Sequence, residues 1–380
     1  MTRNAFKINS KARLISFVIG LLLTLFVPGN AENAWIPPSA ELPIFYVTDR
    51  KPEFVEGKKK FGKMRRDHNA CHYGISNVLV SWSNDSPPIE GALWNMGWRG
   101  SNQKLGKSKA GAPPIARMKS IESITDKRLF FKKVKGLVEL SDSKQLVVFV
   151  HGYNNSFESV TESAARLEYY FKCPVLVFSW PSQNELLKYT YDECNAEWSS
   201  PDFRLLLRDL EDSEIGPQNI SLIGHSMGNR LLMWNLVSRA DLYRNEPKHF
   251  KAIVLSSPDL DSGTFKMWSA FMRTNSDSNW VFISHKDVPL RLSRGVHGNQ
   301  RAGHIDKLPK VPGVDLEWKY PDVAYGFTAI DFSKIDKGPI GHSIPYSNIQ
   351  SIVDRKMPAD GYQWKELQAD NRRWYELISK

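Results

Sequence analysis

The chain has 380 residues and a formal net charge of +10; 41% of its residues are hydrophobic and 24% are charged. This composition allows one large domain or two of ordinary size, and it excludes wholesale disorder because enough apolar residues are present to form a core. The basic excess is concentrated in residues 32–135, but no nucleic-acid recognition motif accompanies it, so binding of nucleic acid is not predicted.

The N-terminus has the pattern of an export signal. A basic segment without acidic residues precedes an apolar run at residues 14–27, which is short for a membrane-spanning helix and ends in small residues. We expect residues 1–31 to be a signal peptide cleaved after Ala31, which would place the protein in the periplasm or outside the cell. An uncleaved signal that anchors the protein to the membrane is the alternative.

Residues 32–140 are predicted to form a basic N-terminal region. Strands are expected at 44–48 and 75–82, a long loop insertion at 85–115, and one or two further strands within 129–140. The lysine and arginine runs predict a solvated, partly flexible face. Contact with an anionic membrane or a cell-surface polymer is the alternative interpretation of the same charge.

Residues 141–355 show a regular alternation of apolar strands with helices. Such continuous apolar strands predict a mostly parallel, doubly wound α/β sheet that is covered on both faces and preceded by antiparallel N-terminal strands. The strands are expected at 146–150, 175–178, 220–223, 253–256, 280–283 and 327–332, and the helices at 157–171, 202–211, 229–239 and 263–272. Residues 356–380 are predicted to be a helical tail, because Trp364, Leu367, Trp374 and Leu377 have helical spacing.

Residues 219–239 are the most informative segment of the core. A short β-branched strand leads into the turn Gly-His-Ser-Met-Gly at 224–228, and an amphipathic helix follows. This order is that of the nucleophile elbow of α/β-hydrolases, in which a sharp turn lifts the serine above the sheet edge. Ser226 is therefore the predicted nucleophile. A serine hydroxyl needs a base to take its proton and an acid to orient that base.

In this fold the acid and then the histidine follow the serine along the chain. Asp287 comes just after the predicted strand 280–283 and is the favoured acid, while Asp259 and Asp261 end the preceding strand and are the alternative. His342 stands in a glycine-flanked loop after the last predicted strand of the core and is the favoured base. The other histidines beyond Asp287 are His297 and His304, in a loop rich in glycine and arginine.

The oxyanion hole is expected from two backbone amides. One is that of Met227, directly after the nucleophile, and the other is that of Tyr153 or Asn154, in the His-Gly-Tyr-Asn-Asn segment that follows the strand 146–150. His151 and His225 are predicted to shape loops rather than to act as bases.

Several motifs together resemble a known family. HGYNNSFE, FSWPS, LIGHSMGNRL, LSSPDLD and the GHS at His342 are similar to a bacterial α/β-hydrolase family of unknown function with esterase-like and lipase-like features. FYVTDRKP and HYGISNVLVS resemble the leading strands of that family. The resemblance covers most of residues 44–355, and it implies Ser226, Asp287 and His342 as a catalytic triad.

No cofactor or metal is predicted. His68, Cys71 and His72 are close in sequence but lack a second ligand cluster, and the glycine spacing at 100–108 differs from that of a phosphate-binding loop. Of the three cysteines, Cys173 and Cys194 are the nearest to each other in sequence. The sequence does not decide between a disulfide and buried free thiols.

The sequence thus predicts an exported serine hydrolase of the esterase or lipase type, which cleaves a small-molecule or lipid-like carboxylic ester through an acyl-enzyme. Peptidase or thioesterase activity would use the same machinery. The alternative from another class is a non-catalytic envelope or surface-binding protein on a hydrolase scaffold.

Overall fold

The computed structural model describes residues 39–67, 70–81, 99–100, 114–240, 250–270, 275–307, 318–319, 326–336, 338–353, 362–369 and 372–379. Pro37–Lys380 form one compact unit. The predicted signal peptide and most of the predicted insertion at 85–115 lie outside the described residues. No helix within the described ranges is both long and apolar enough to cross a membrane.

The described residues contain strands and helices in a largely alternating order. The strands are β1 (Ser39–Thr48), β2 (Arg50–Val55), β3 (Lys58–Arg65), β4 (His72–Ser81), β5 (Arg99–Gly100), β6 (Ile115–Ile124), β7 (Leu146–Val150), β8 (Val175–Ser179), β9 (Ile220–His225), β10 (Ala252–Ser256), β11 (Asn279–Ile283), β12 (Asp306–Lys307), β13 (Trp318–Lys319), β14 (Thr328–Asp331), β15 (Tyr362–Ala369) and β16 (Arg372–Ser379). The α-helices are α1 (Lys127–Leu140), α2 (Phe157–Phe171), α3 (Tyr189–Glu211), α4 (Gly228–Ala240), α5 (Ser262–Ser269), α6 (Val288–His297) and α7 (Tyr346–Val353).

One large sheet organises the molecule. Its strand order is β15-β16-β14-β11-β10-β9-β7-β8-β1-β4-β6, with β5 paired to β1. In the order of the sheet, the eight strands from β16 to β1 are all parallel to their neighbours. β4 and β6 add antiparallel strands at one end, and β15 adds one at the other. The predicted mostly parallel α/β sheet with antiparallel N-terminal strands is confirmed.

The central strands are apolar throughout because both of their faces are covered. Every residue of β7, β8 and β10 is buried. Along β7, Val148 lies in the core shared with α1, α3, α4 and α5, whereas the next residue, Phe149, lies in the core shared with α2 and α7. This alternation follows from the two-residue period of a strand, and it explains why the sequence shows continuous apolar runs.

The strand order changes direction at β7. The crossover through α2 places β8 on one side of β7, and the crossover through α3 returns to the other side to form β9. In open α/β sheets, ligands bind beyond the carboxyl ends of the strands at such a switch point. The loop after β7 and the elbow after β9 therefore border the same crevice.

The prediction of strands within residues 129–140 is wrong, because this segment forms α1. Asp126 caps the helix by accepting from the amides of Arg128 and Leu129. Phe130, Val134 and Val138 are buried at intervals of four residues, which is a helical spacing.

The predicted helical tail is also wrong, because β15 and β16 form an antiparallel hairpin. In its register Trp364 is opposite Leu377 and Leu367 is opposite Trp374. The four residues expected to share one face of a helix are thus two cross-strand pairs. Pairing of β16 with β14 adds this hairpin to the edge of the sheet and satisfies backbone groups that an isolated hairpin would expose.

The basic segment between the first two predicted strands is ordered as a second hairpin. β2 and β3 pair with each other around Glu56 and Gly57, which both have positive φ. Two consecutive residues with positive φ are typical of the tight turn that matches the twist of a hairpin. The side chains of Lys58 and Lys60 on this hairpin are exposed.

Candidate active site

The nucleophile elbow has the geometry that the sequence predicts. Ser226 lies between β9 and α4 with φ of +53°, a left-handed conformation that is strained for a residue with a side chain. Its amide donates to the carbonyl of Ser256 at 3.0 Å, which ties the turn to the end of β10. A Cβ on Gly228 would come within 2.2 Å of the carbonyl oxygen of His151, so only glycine fits there. Ser226 is thereby held at the carboxyl edge of the sheet.

Asp287 and His342 are in direct contact although 55 residues separate them. Asp287 is fully buried at the start of α6, where its Oδ1 accepts from the amide of Leu290 at 2.9 Å. Its Oδ2 accepts from Nδ1 of His342 at 2.6 Å. This bond fixes the imidazole with Nδ1 protonated, so that Nε2 is left to act as a base.

Two contacts place His342 next to the elbow. The loop after β14 turns at Gly341, where φ is +66° and an added Cβ would lie 2.2 Å from the carbonyl oxygen of Lys286. His342 thereby enters beside Asp287. Its ring lies 4.8 Å, centroid to centroid, from that of His225, the residue immediately before Ser226. The structure therefore places His342 in contact with Asp287 and beside the elbow that carries Ser226.

The pKa of His342 depends on two opposing effects. Burial lowers it, but the negative charge of Asp287 and the hydrogen bond to that carboxylate raise it by more, so the pKa of His342 lies above its ordinary value. Burial and the neighbouring His342 lower the pKa of His225 well below its ordinary value. His225 therefore stays neutral beside a histidine that can take up a proton.

Two backbone amides are available beside the nucleophile. Gly152 lies directly against Ser226, since a Cβ on this glycine would lie 2.7 Å from the serine Cβ. Tyr153 follows in the same loop, and Met227 follows Ser226 at the start of α4. Among the described residues, no acceptor is found for the amides of Tyr153 and Met227. They are thus free to donate to a substrate oxygen.

The candidate oxyanion donor Asn154 requires correction. Its amide donates to Oδ2 of Asp192 at 3.1 Å and is therefore committed to a side chain of α3. Of the two amides predicted as the second donor, only that of Tyr153 is left without an acceptor among the described residues.

A network of polar groups holds the loop after β7. Asn155 uses its side-chain amide to donate to the carbonyls of Gly152 at 3.1 Å and Tyr153 at 2.9 Å. Asp192 accepts from Ser182 Oγ at 2.6 Å as well as from the Asn154 amide. Because backbone carbonyls and amides are both engaged, the loop is pre-organised before any substrate arrives.

Arg50 is a residue of this network that the sequence analysis did not single out. Its side chain is fully buried and donates to four groups: the carbonyl of Asn155 at 2.9 Å, Oγ of Ser179 at 2.9 Å, the carbonyl of Gly62 at 3.2 Å and that of Ser182 at 3.3 Å. Burial lowers the pKa of Arg50 to about 10 against the opposing charges of Asp49 and Asp192. The only sequence signal for it is its place in the FYVTDRKP motif.

Substitution of Arg50 by lysine is expected to lower the free energy of unfolding by about 3 kcal/mol, because a single ammonium group cannot replace the planar fork that donates to four groups at once. The measurement is urea unfolding followed by circular dichroism. Arg65→Lys is the control, since Arg65 is itself partly exposed and donates to two groups of α3, Asn195 Oδ1 and the Cys194 carbonyl. This variant is expected to change stability by less than about 1 kcal/mol. Equal losses in the two variants would contradict the assigned role of Arg50.

The alternative acid Asp259 lies in a different environment from the one predicted. Its carboxylate accepts from Nε of Arg301 at 2.8 Å, from Oγ of Ser293 at 2.6 Å and from the hydroxyl of Tyr189. Burial raises the pKa of Asp259, but the charges of Arg230 and Arg301 lower it by more. The pKa of this carboxyl group therefore lies below its usual range. This carboxylate is bound to arginines rather than to a histidine. The prediction of Asp259 as an alternative acid is therefore not supported by its contacts.

Asp259 and Asp261 nevertheless support the site. The amide of Asp259 donates to the carbonyl of Ser226 at 3.2 Å, so the loop that carries it steadies the elbow. Asp261 caps α5 by accepting from the amide of Thr264 at 2.7 Å. Both residues of the LSSPDLD motif thus have structural partners.

The other two histidines beyond Asp287 pair elsewhere. His297 lies at the end of α6, rather than in a loop as predicted, and its Nε2 is 2.7 Å from Oε1 of Glu193. His304 contacts Oδ1 of Asp306 through Nδ1 at 3.1 Å. His151 stacks on Trp180 with the two rings 4.7 Å apart, which fits its predicted role in shaping a loop.

The cysteines do not form a disulfide, since Cys71, Cys173 and Cys194 are all free. Across the described ranges, no group of three or more residues with metal-binding side chains is found. His68 of the cluster considered in the sequence lies outside these ranges.

The chain matches a protein family over most of the core. The model described as "Alpha/beta hydrolase of unknown function (DUF900)" matches residues 129–358. A comparison with curated proteins finds no match. The matched residues include the elbow, Asp287 and His342.

Similar solved structures include several esterases, all at low identity. An esterase from Pyrobaculum calidifontis is 12% identical, with 92% of this chain and 94% of that chain covered and a TM-score of 0.29. One of two esterases from Rhizomucor miehei is 10% identical, with coverage of 93% and 92% and a TM-score of 0.34. EstE5, from a crystal soaked with p-nitrophenyl butyrate, is 14% identical; 41% of this chain and 64% of that chain are covered, with a TM-score of 0.25. At these scores the likeness carries no argument about activity.

Proposed function

Since the chain belongs to the DUF900 family of α/β hydrolases, we propose that it is a serine hydrolase that cleaves carboxylic esters through an acyl-enzyme. The observation that carries the proposal is the 2.6 Å bond between buried Asp287 and His342, beside a serine in a nucleophile elbow. A buried carboxylate bonded to Nδ1 of a histidine is the arrangement that makes Nε2 a base for a serine hydroxyl.

The residues have these roles in the proposed reaction. Ser226 Oγ attacks the ester carbonyl while Nε2 of His342 takes its proton, and the Asp287 carboxylate stabilises the resulting imidazolium. The amides of Met227 and Tyr153 donate to the tetrahedral oxyanion. Collapse of this intermediate breaks the ester bond, and His342 returns the proton to the leaving alcohol. Water, activated by the same histidine, then hydrolyses the acyl-enzyme.

A fluorophosphonate probe tests the proposal without knowledge of the substrate, because it reacts covalently with an activated serine. We expect the wild-type protein to be labelled and Ser226→Ala to be unlabelled. Ser257→Ala is the matched control: Ser257 is likewise a buried serine with positive φ, at 44°, and this variant should be labelled as the wild type is. Folded wild-type protein that takes up no label would favour a binding protein on a hydrolase scaffold.

Export is a separate part of the proposal and rests on the sequence of residues 1–31. We propose that the mature protein begins after Ala31 and acts in the periplasm or outside the cell. N-terminal sequencing of the protein recovered from the envelope fraction is the direct measurement. The proposed substrate is a small-molecule or lipid-like ester, and the basic hairpin of β2 and β3 supplies the proposed contact with an anionic surface. No cofactor takes part.

A further inference from the structure

Three segments that border the proposed active site carry large apolar side chains exposed to solvent. One is the short turn before α3, the second is α6, and the third is the loop that leads to His342. We call their exposed residues the apolar rim. The rim consists of Leu186 (74% exposed), Leu187 (97%), Leu292 (67%), Val296 (62%) and Ile340 (49%).

Hydrogen bonds connect these segments to one another and to the catalytic residues. The hydroxyl of Tyr153, in the loop after β7, donates to the carbonyl of Leu186 at 2.9 Å. The hydroxyl of Tyr189, at the start of α3, lies 2.9 Å from Oγ of Ser293 on α6. The amide of Val288, next to the buried acid, donates to the carbonyl of Ile340 at 2.9 Å. The rim segments thus lie around the site rather than elsewhere on the surface.

The exposure on α6 is a property of one side of the helix. Leu290 and Ser293 face the interior, whereas Leu292 and Val296 are four residues apart and lie on the same, exposed side. Single exposed apolar residues are ordinary on a protein surface, but several grouped around a functional site are typical of an interaction surface. The rim therefore needs a partner that accepts apolar side chains.

The charges among the rim residues indicate the chemistry of that partner. Lys188 follows Leu187, Lys286 stands on the strand-to-helix loop before α6, and Arg291 precedes Leu292; all three side chains are exposed. The neighbouring Glu185 forms an ion pair with Lys63, which neutralises it. Apolar side chains mixed with cations complement a surface that combines hydrocarbon with negative head groups.

We propose that the apolar rim docks the protein onto an anionic lipid surface, so that esters presented at this surface are delivered to Ser226. The substrate class rests on the proposed hydrolase function, whereas docking itself does not. Docking removes the rim side chains from water and brings the proposed active site close to the lipid. A lipid ester can then reach the nucleophile without crossing bulk water.

The experiment compares Leu187→Asp with the wild-type full chain. Leu187 is almost fully exposed, so a charge there leaves the core intact. Binding is measured by sedimentation with vesicles of phosphatidylcholine, with and without an equal part of phosphatidylglycerol. We expect the wild type to bind the anionic vesicles. Leu187→Asp should bind them at least about tenfold more weakly, since a carboxylate must be desolvated at the surface. Met267→Asp is the control, because Met267 on α5 is 62% exposed outside the rim and should bind as the wild type does.

A kinetic comparison separates docking from catalysis and from any lipid affinity of residues 14–27, which all variants share. Hydrolysis of a long-chain p-nitrophenyl ester carried in the anionic vesicles is compared with that of soluble p-nitrophenyl acetate. We expect Leu187→Asp to lose about tenfold on the vesicle ester alone. An unchanged ratio of the two activities in this variant would overturn the inference.

The outcomes distinguish the two proposals. The proposed function is overturned if the wild type neither hydrolyses these esters nor takes up the serine probe. Docking is judged separately, from vesicle binding alone: weaker binding by Leu187→Asp than by Met267→Asp supports it, and equal binding by the two variants overturns it. A wild-type dimer that Leu187→Asp converts to monomer, without binding of vesicles, assigns the rim to a second copy of the chain and likewise overturns it.

Discussion

Replacement of His342 by alanine is expected to lower kcat for ester hydrolysis by about 10⁶-fold, the loss typical of removing the base from a serine triad. The physical reason is that the Ser226 hydroxyl is a poor nucleophile at neutral pH unless a neighbour takes its proton during attack. His342 is the histidine bonded to a buried carboxylate beside the elbow. The measurement is steady-state hydrolysis of a p-nitrophenyl ester, with stability followed by thermal unfolding.

The matched control for this variant is His304→Gln. His304 also contacts an aspartate, at 3.1 Å, and is buried, but its partner is Asp306 and not the acid at the start of α6. It is expected to retain kcat within about threefold, which corresponds to less than about 1 kcal/mol in the barrier. Residual activity in His342→Ala close to that of the control would exclude His342 as the base.

Replacement of Asp287 by asparagine is expected to lower kcat by about 10⁴-fold. An amide NH₂ in place of the carboxylate Oδ2 would favour the tautomer of His342 that carries its proton on Nε2, where it cannot accept from the serine. The helix cap should survive, because asparagine accepts from the Leu290 amide as aspartate does. The loss of rate should therefore come without a comparable loss of stability.

Asp287→Asn should also shift the pH profile. In the wild type kcat/KM falls as pH decreases through the pKa of His342, because protonation removes the base; the charge of Asp287 raises that pKa. Removal of the charge lowers it, so the acid limb of the variant should move to lower pH. Asp261→Asn is the control, since Asp261 caps α5 in the same way but lies away from His342. An unshifted acid limb would contradict the assignment.

The order of the core elements was predictable because each depends on short-range patterns. Fully buried strands such as β7 and β8 appear as uninterrupted apolar runs, and the helices between them show a polar face. The elbow was predictable for the same reason: its glycines, its serine and the strand and helix that flank it are adjacent in sequence. Ser226 follows from this local pattern alone.

The errors came from segments whose structure depends on distant partners. The final residues form β15 and β16 because β14 offers β16 a parallel partner, on which β15 then pairs antiparallel, and nothing within the segment itself shows this. For α1 a local signal existed: Asp126 and the four-residue spacing of Phe130 and Val134 favour a helix, but the β-propensity of these residues obscured it. The loss of Asn154 as a donor likewise depends on Asp192, which belongs to another helix.

The sequence by itself determined the α/β architecture, and it predicted a nucleophile and a short set of candidate acids and bases, because backbone pattern and chain order restrict these. It favoured Asp287 as the acid but left Asp259 and Asp261 as alternatives, since all three follow central strands. Only the tertiary structure decided, by placing two arginines against Asp259 and His342 against Asp287. The reason is physical: the role of a carboxylate depends on the charges within a few ångströms of it, and folding brings these from distant parts of the chain.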